Sequence, residues 1–429
     1  MAASARIAAV DLNGQLRGKR VPSDKLGKPA RMPFSALNVD IFGCDIDDSP
    51  LVFDSGDADG VMTPTDRDPV PLPWLDHAPD LQLCALTHED GTPFDGDARV
   101  ALTRILDRYA ARGWSPQTAV ELEFYLVEAD GALAAPINPR TGRRLTRHEV
   151  LSLTQIDAFE AFFNDIETGA AAMGLQPFTV SGESGLGQFE IALDHAPALK
   201  AADDALLMKE LIKGTARNHG LSATFMAKPF AEEAGSGLHL HASILDAEGT
   251  NIFDDGGSKG TDLLRHAIAG CLAALPASTL ILAPHQGSYG RFVPGAHAPT
   301  SACWGYDNRT VALRVPGGPP AARRFEHRSA GGDTNPYLLS AAILGAALIG
   351  IEDAMDPGPI TTGNAYDAAT APTLAPTWAA AIDALDDPLI ARIFPAALID
   401  NLIRTKRQER AKCAKLGEHE LTLMLLESV

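Results

Sequence analysis

"VELEFYL", residues 120–126, alternates apolar and polar side chains over the length of one strand. With a period of two, Val120, Leu122 and Phe124 share one face, and Glu121, Glu123 and Tyr125 share the other. The pattern predicts a β-strand with one face in a core. The two carboxylates leave two readings of the other face: a solvated surface, or the floor of a site that binds positive charge. Other strands must decide between them.

Three further stretches have matching chemistry. In "ESGLGQFE" (183–190), glycines permit a tight turn that brings Glu190 back toward Glu183. In "GSGLHLHAS" (235–243), His239, His241 and Ser243 alternate with Leu238, Leu240 and Ala242. In "RRFEHR" (323–328), Arg324, Glu326 and Arg328 fall on one face. Each stretch alone is ordinary, but together they offer five glutamates and a histidine among arginines. Unpaired carboxylates gathered in a barrel are costly, and divalent cations remove that cost. Hard oxygen donors with one imidazole suit Mg²⁺ or Mn²⁺ better than a structural zinc. Arginines grip carboxylate and phosphate oxygens. Metal ions with arginines point to phosphoryl transfer from a nucleotide. The P-loop pattern Gly-x-x-x-x-Gly-Lys-Ser/Thr is absent.

Composition narrows the class. The chain has 429 residues, 45% of them hydrophobic and 21% charged, as in ordinary soluble enzymes. A net charge of −19 argues against nucleic acid as a partner and is compatible with cationic substrates or metal ions. Five scattered cysteines without a Cys-x-x-Cys pair predict reduced thiols and a cytoplasmic location. No signal peptide is evident at the N-terminus. The most apolar run, 338–351, is shorter than the roughly 20 residues that span a bilayer, so we expect a buried core helix and no membrane insertion.

Along the chain, "ARIAAVDLNGQLRGKRVP" predicts a hairpin around Asn13-Gly14. A small N-terminal module over residues 1–90 and a large one over 91–429 follow from the change of texture after "DGTPFDGD". An amphipathic helix is expected from Asp97 to Arg112, stopped by Gly113. Longer helices are expected near 154–173, 199–219, 261–274 and 336–354, with a helical tail from about 394. The basic stretch "RTKRQERAKCAK" in that tail reads as a solvated face.

These motifs resemble the glutamine synthetase family. The resemblance runs through "VELEFYL", "ESGLGQFEIAL", "FMAKPF", "GSGLHLHAS", "SYGRFVPG", "DNRTVALRVP" and "RRFEHR…DTNPYL", nearly the whole chain. Within the family it is closest to the glutamate–putrescine ligase (γ-glutamylpolyamine synthetase) branch. It implies an α+β fold. A small N-terminal β-grasp domain would precede a catalytic domain built on a curved antiparallel half-barrel sheet flanked by helices. It implies ATP and two or more Mg²⁺ or Mn²⁺ ions per site. Glu123, Glu183 and Glu190 would hold one ion, and Glu121, His239 and Glu326 another. Arg291 and the Gly235 carbonyl would bind the α-carboxylate and amino group of glutamate. Arg328 would lie at the γ-carboxylate and Arg309 at the transferring phosphate, with His241, Ser243, Arg314 and Arg324 at the ATP phosphates. A homo-oligomer is implied, a dodecamer of two hexameric rings with sites between neighbouring subunits.

The chain departs from a glutamine synthetase proper where ammonium is captured. His297 and, in a less close match, Pro33 stand where acids are expected, and Ala234 stands where Asn is common. Ammonium without surrounding anions bears a large desolvation cost. The implied activity is therefore ATP-dependent ligation of the glutamate γ-carboxylate to a primary amine through γ-glutamyl phosphate. His297 could accept the amine's proton. A glutamine synthetase using ammonium is the alternative.

Overall fold

The computed structural model describes residues 4–129, 133–293, 295, 298–367 and 372–429. The first sheet is built from β1 (Ser4–Val10), β2 (Leu16–Pro22), β3 (Ala30–Pro33), β4 (Asp59–Pro64) and β5 (Asp80–Thr87), in the order β2-β1-β5-β4-β3. The β1–β5 pair is parallel and the other pairs are antiparallel. The expected hairpin is present, with Gly14 at a φ of 77° in its turn. Ile7, Ala9, Met32, Met62 and Leu86 close a small core beneath the sheet.

Helix α1 (Ala98–Ala110) begins where the Asp97 carboxylate accepts from the amides of Arg99 and Val100, an N-cap. It leads into β6 (Ser115–Glu128), whose side chains alternate between buried and half-buried as far as Phe124. Beyond Phe124 both faces are covered, and Tyr125, Leu126 and Val127 are fully buried.

The second sheet is organised around β6. It includes β7 (Pro177–Gly182), β8 (Gln188–Leu193), β9 (Leu221–Thr224), β10 (Leu238–Leu245), β11 (Trp304–Tyr306), β12 (Leu313–Val315) and β13 (Phe325–His327). The order is β7-β8-β6-β10-β13-β12-β11, with β9 paired to the end of β6. The fold is α+β, with a nearly closed, barrel-like sheet flanked by helices. Its one departure from the antiparallel expectation is the parallel pair β11–β12.

Helices α2 (Glu160–Ala172), α3 (Ala198–Asn218), α4 (Asp262–Ala274) and α5 (Pro336–Glu352) flank the sheet. α5 is buried on all sides from Pro336 to Gly350, as its uniform apolarity requires. No helix among the described residues is long and apolar enough to cross a membrane. The helix expected over 154–173 is broken at Phe159, which leaves helical geometry at φ −104° and ψ 21°. The break turns its ring into the core, 5.4 Å from Phe189.

The tail is α6 (Ala396–Cys413) and α7 (Glu418–Ser428). Here one expectation is corrected. The basic stretch in α6 is not a solvated face throughout, because Lys406 and Glu409 are fully buried. The Lys406 ammonium donates to Glu409 at 2.8 Å and to Asn13 Oδ1 at 2.5 Å. Glu409 accepts from Asn13 Nδ2 and the Ile41 amide, each at 2.8 Å. The charges are tolerated because each is paired and hydrogen-bonded, and they lock the β1–β2 turn onto α6.

Candidate active site

Strand register assembles the site. Glu123 in β6 is opposite Glu190 in β8, and Glu121 is opposite His239 in β10. His241 is opposite Glu326 in β13, which is opposite Arg314 in β12. Stepping two residues along β6 and again along β10, these pairs form one row running obliquely across five strands, which carries Glu190, Glu123, Glu121, His239, His241, Glu326 and Arg314. The opposite face of β6, with Val120, Leu122 and Phe124, is core.

Hydrogen bonds fix the two imidazoles. Arg324 Nε donates to His241 Nδ1 at 3.2 Å, so His241 Nε2 carries the proton it gives to Glu121 Oε1 at 2.9 Å. His239 Nδ1 bonds Glu121 Oε2 at 2.8 Å. His239 Nε2 is buried with no hydrogen-bond partner among the described residues, and lies 3.9 Å from Glu123 Oε1. A buried imidazole nitrogen without a partner, facing a carboxylate, has the posture of a metal ligand.

Glu121, His239 and Glu326 bring ligand atoms within 4.8 Å of one another, and so do Glu123, Glu190 and His239. This donor set fits a hard divalent cation. Glu183 lies outside these two compact groups. Its carboxyl accepts from Ser181 Oγ at 3.4 Å, and burial and then the charge of Glu123 raise it to about 7. Glu190 is pushed up to about 9 by burial, then by Glu121, Glu123, Glu183 and Glu326. Burial works against the charge of Glu121 too, but the hydrogen bonds from His239 and His241 outweigh it and hold the carboxyl well below its usual range. Glu326 is likewise lowered: burial opposes its charge, and Arg328, His241 and His239 prevail.

The arginines ring these acids. Arg314 donates to Glu326 at 2.9 Å, and Arg328 is hydrogen-bonded to the same carboxylate. Buried Arg291 donates to the carbonyls of Ser329 at 2.9 Å and Arg328 at 3.3 Å. Arg309 is exposed in the loop before β12, within electrostatic reach of Glu183. The Gly235 carbonyl accepts from Gln188 Nε2 at 3.0 Å, leaving one lone pair free for a further donor. His297 lies outside the described residues, and so do 368–371 of the loop that follows Tyr366.

The Gly-Ser-Gly turn has a cause that sequence reasoning missed. A Cβ on Gly235 would lie 2.7 Å from Arg291 Cγ, and one on Gly237 would lie 2.7 Å from an Arg291 guanidinium nitrogen and 2.9 Å from His239 Nε2. The glycines let the arginine lie against the turn. The unexplained pair in "AGSGLHLH" was the available signal. Beside the row opens a cavity of about 610 Å³, lined by Glu121, Thr179, Leu193, His241, Ser243 and Arg324. That volume is within the usual range for small-molecule sites.

Comparison with known proteins agrees with this geometry. The family described as "Glutamine synthetase, catalytic domain" matches residues 95–423. The chain belongs to the glutamine synthetase family. It is 38% identical to the γ-glutamylputrescine synthetase PuuA of Escherichia coli over 376 residues, covering 84% of this chain and 78% of that one. It is 31% identical to a glutamate–isopropylamine ligase of a Pseudomonas species over 415 residues, 94% of this chain and 90% of that one. Among solved structures, ligand-free GmaS superposes with a TM-score of 0.84 at 30% identity, covering 97% of this chain and 95% of that one. Members of this family use ATP and divalent metals.

Proposed function

We propose that this ATP-dependent glutamate–amine ligase joins the γ-carboxylate of L-glutamate to a primary amine, such as putrescine, a polyamine or a small monoamine, by way of γ-glutamyl phosphate. The oblique row from Glu190 to Arg314, acids and imidazoles ending on an arginine, is the observation that carries the reading. Relatives named for putrescine and isopropylamine support an amine over ammonium. So do His297 and Pro33, which stand where a glutamine synthetase is expected to carry the acids that capture ammonium.

In this reading Glu121, Glu123, Glu183, Glu190, His239 and Glu326 hold two Mg²⁺ or Mn²⁺ ions. When bound, the ions supply charge neutralisation at the phosphate oxygens. The chain's own groups do the rest. Arg291 binds the α-carboxylate of glutamate, and the free lone pair of the Gly235 carbonyl takes its ammonium. Arg328, already oriented by Glu326, presents its remaining N–H donors to the γ-carboxylate. His241, Ser243 and Arg324, which line the cavity, receive the ATP phosphates together with Arg314. The γ-carboxylate oxygen attacks the γ-phosphorus and ADP leaves. Arg309 meets the charge that develops on the transferring group. The amine nitrogen, deprotonated, then attacks the acyl carbon, and inorganic phosphate departs with the former carboxylate oxygen.

We further propose the division of the chain near residue 90, a cytoplasmic setting, and a dodecamer of two hexameric rings. Phosphate release with glutamate and ATP fixed, measured across ammonium, methylamine, isopropylamine, ethanolamine, putrescine and spermidine, tests the substrate class. We expect at least one primary amine to exceed ammonium in kcat/KM by tenfold or more. Equal or faster turnover with ammonium would overturn the amine assignment.

A further inference from the structure

We infer that Asp333 and Ser288 are positioning residues for glutamate binding, holding in place the turn that presents Arg291. The inference rests on the reading of Arg291 as the α-carboxylate ligand. Arg291 ends a short 3₁₀ turn, Gln286–Arg291. Ser288, Arg291 and Asp333 are all nearly inaccessible, at 2%, 3% and 4% exposure. The Ser288 hydroxyl donates to Asp333 Oδ2 at 2.5 Å and accepts from the His285 amide at 3.1 Å. The turn is thus fastened at its start by a serine–carboxylate bond and at its end by the two guanidinium contacts to Arg328 and Ser329. Both fastenings are to the same segment, residues 328–333.

That segment is itself held from several sides. The Arg328 amide donates to Ala312, ahead of β12, and the Gly332 amide donates to Ser236 at 2.9 Å. The Leu238 amide donates to Ala330 at 3.0 Å, and Lys209 of α3 donates to the Gly332 carbonyl at 2.9 Å. Asp333 therefore ties the arginine turn to the same strap that carries Arg328 and grips the Gly-Ser-Gly turn. An apolar pair would fill the space without the desolvation cost of a buried carboxylate. What the bond adds is direction. Two bonds to the Leu282 carbonyl, from the Gly331 amide and the Thr334 hydroxyl, hold the chain ahead of the turn, but without the Ser288–Asp333 bond the turn itself is hydrogen-bonded to the strap only through the guanidinium it presents, and that guanidinium could no longer be both anchor and ligand in one fixed place. A misplacement of about 1 Å in such a group is enough to weaken substrate binding severely.

The test uses the full-length enzyme with Mg²⁺, ATP and a saturating amine, and compares Ser288→Ala, Ser288→Thr, Asp333→Asn, the double variant Ser288→Ala/Asp333→Asn, and Arg291→Ala. We expect Ser288→Ala to raise KM for glutamate about tenfold while KM for ATP moves less than about twofold. Ser288→Thr, which keeps the hydroxyl, restores it. The double variant is no worse than Ser288→Ala, because that single change already removes the Ser288–Asp333 bond through which Asp333 acts on the turn. Should Asp333→Asn fail to fold, the Ser288 pair alone decides. A normal glutamate KM in Ser288→Ala, with Arg291→Ala strongly raised, overturns the inference and leaves the arginine's role intact. A normal glutamate KM in Arg291→Ala overturns both. A fall in kcat with both KM values unchanged overturns the inference, because loss of packing alone would produce it.

Discussion

Glu123 and Glu190 are register partners on adjacent antiparallel strands, two carboxylates face to face with no lysine or arginine paired to either among the described residues. The fold holds protons here that the unfolded chain releases. An unfolded glutamate titrates near 4.5, whereas burial and neighbouring acids raise Glu183 to about 7 and Glu190 to about 9. A raised pKa stabilises the fold fully below about 4.5, and that contribution is lost as pH rises through the folded value. The metal-free protein is therefore expected to melt at progressively lower temperature from pH 5 to pH 9. Mg²⁺ should restore the Tm by an increment that grows over the same window. Glu190→Gln should flatten the slope and raise the metal-free Tm at pH 8 by roughly 2 °C. Differential scanning calorimetry with chelator and with Mg²⁺ checks all three.

Gly237 is predicted to tolerate no side chain. Its φ is not positive, so the objection is space and not backbone strain: a methyl group meets both Arg291 and His239. Gly237→Ala is expected to fold, since the clash is with side-chain ends, and to lose on the order of 100-fold in kcat/KM. Steady-state kinetics beside a circular dichroism spectrum separates the two effects.

The Lys406–Glu409 pair makes a stability prediction away from the chemistry. Lys406→Met leaves a fully buried carboxylate with only its Asn13 and Ile41 donors, and is expected to cost about 3–5 kcal/mol. Lys406→Met with Glu409→Leu should recover most of that loss. Denaturant midpoints for the two variants and the parent give the comparison.

Acyl activation makes an isotopic prediction. Glutamate labelled with ¹⁸O in the γ-carboxylate should transfer one labelled oxygen to each phosphate released with amine. Unlabelled phosphate under turnover would mean that the carboxylate never attacks ATP.

How much of this was visible in the sequence follows from the range of each interaction. The acid face of β6 is a local period-two pattern, so Glu121 and Glu123 were legible, and so were His239 and His241 on β10. Their mutual register was not, because it depends on bonds such as that from the Gly237 amide to Glu123, 114 residues apart. The same limit hid the diagonal approach of His239, register partner of Glu121, to Glu123 one pair further along β6, where its Nε2 comes within 3.9 Å of the carboxylate. The basic stretch of α6 misled because Lys406 and its neighbour Glu409 are covered by the turn at Asn13, which bonds both and lies 393 residues from Lys406 in sequence. The break at Phe159 lies inside a helical pattern and is imposed by aromatic packing. The function class was legible because its residues cluster in short motifs, whereas the Ser288–Asp333 bond joins two residues that no local pattern connects.

In the proposed mechanism the Glu190–Glu123–Glu121–His239–Glu326 row binds divalent ions. Titration of the protein with Mn²⁺, with free ion counted by electron paramagnetic resonance, tests it directly. Saturable binding of two ions per chain is expected in the presence of ATP, lost in Glu123→Gln/Glu190→Gln while the fold is retained. Undiminished Mn²⁺ binding in that double variant, or no saturable binding in the parent, would contradict it.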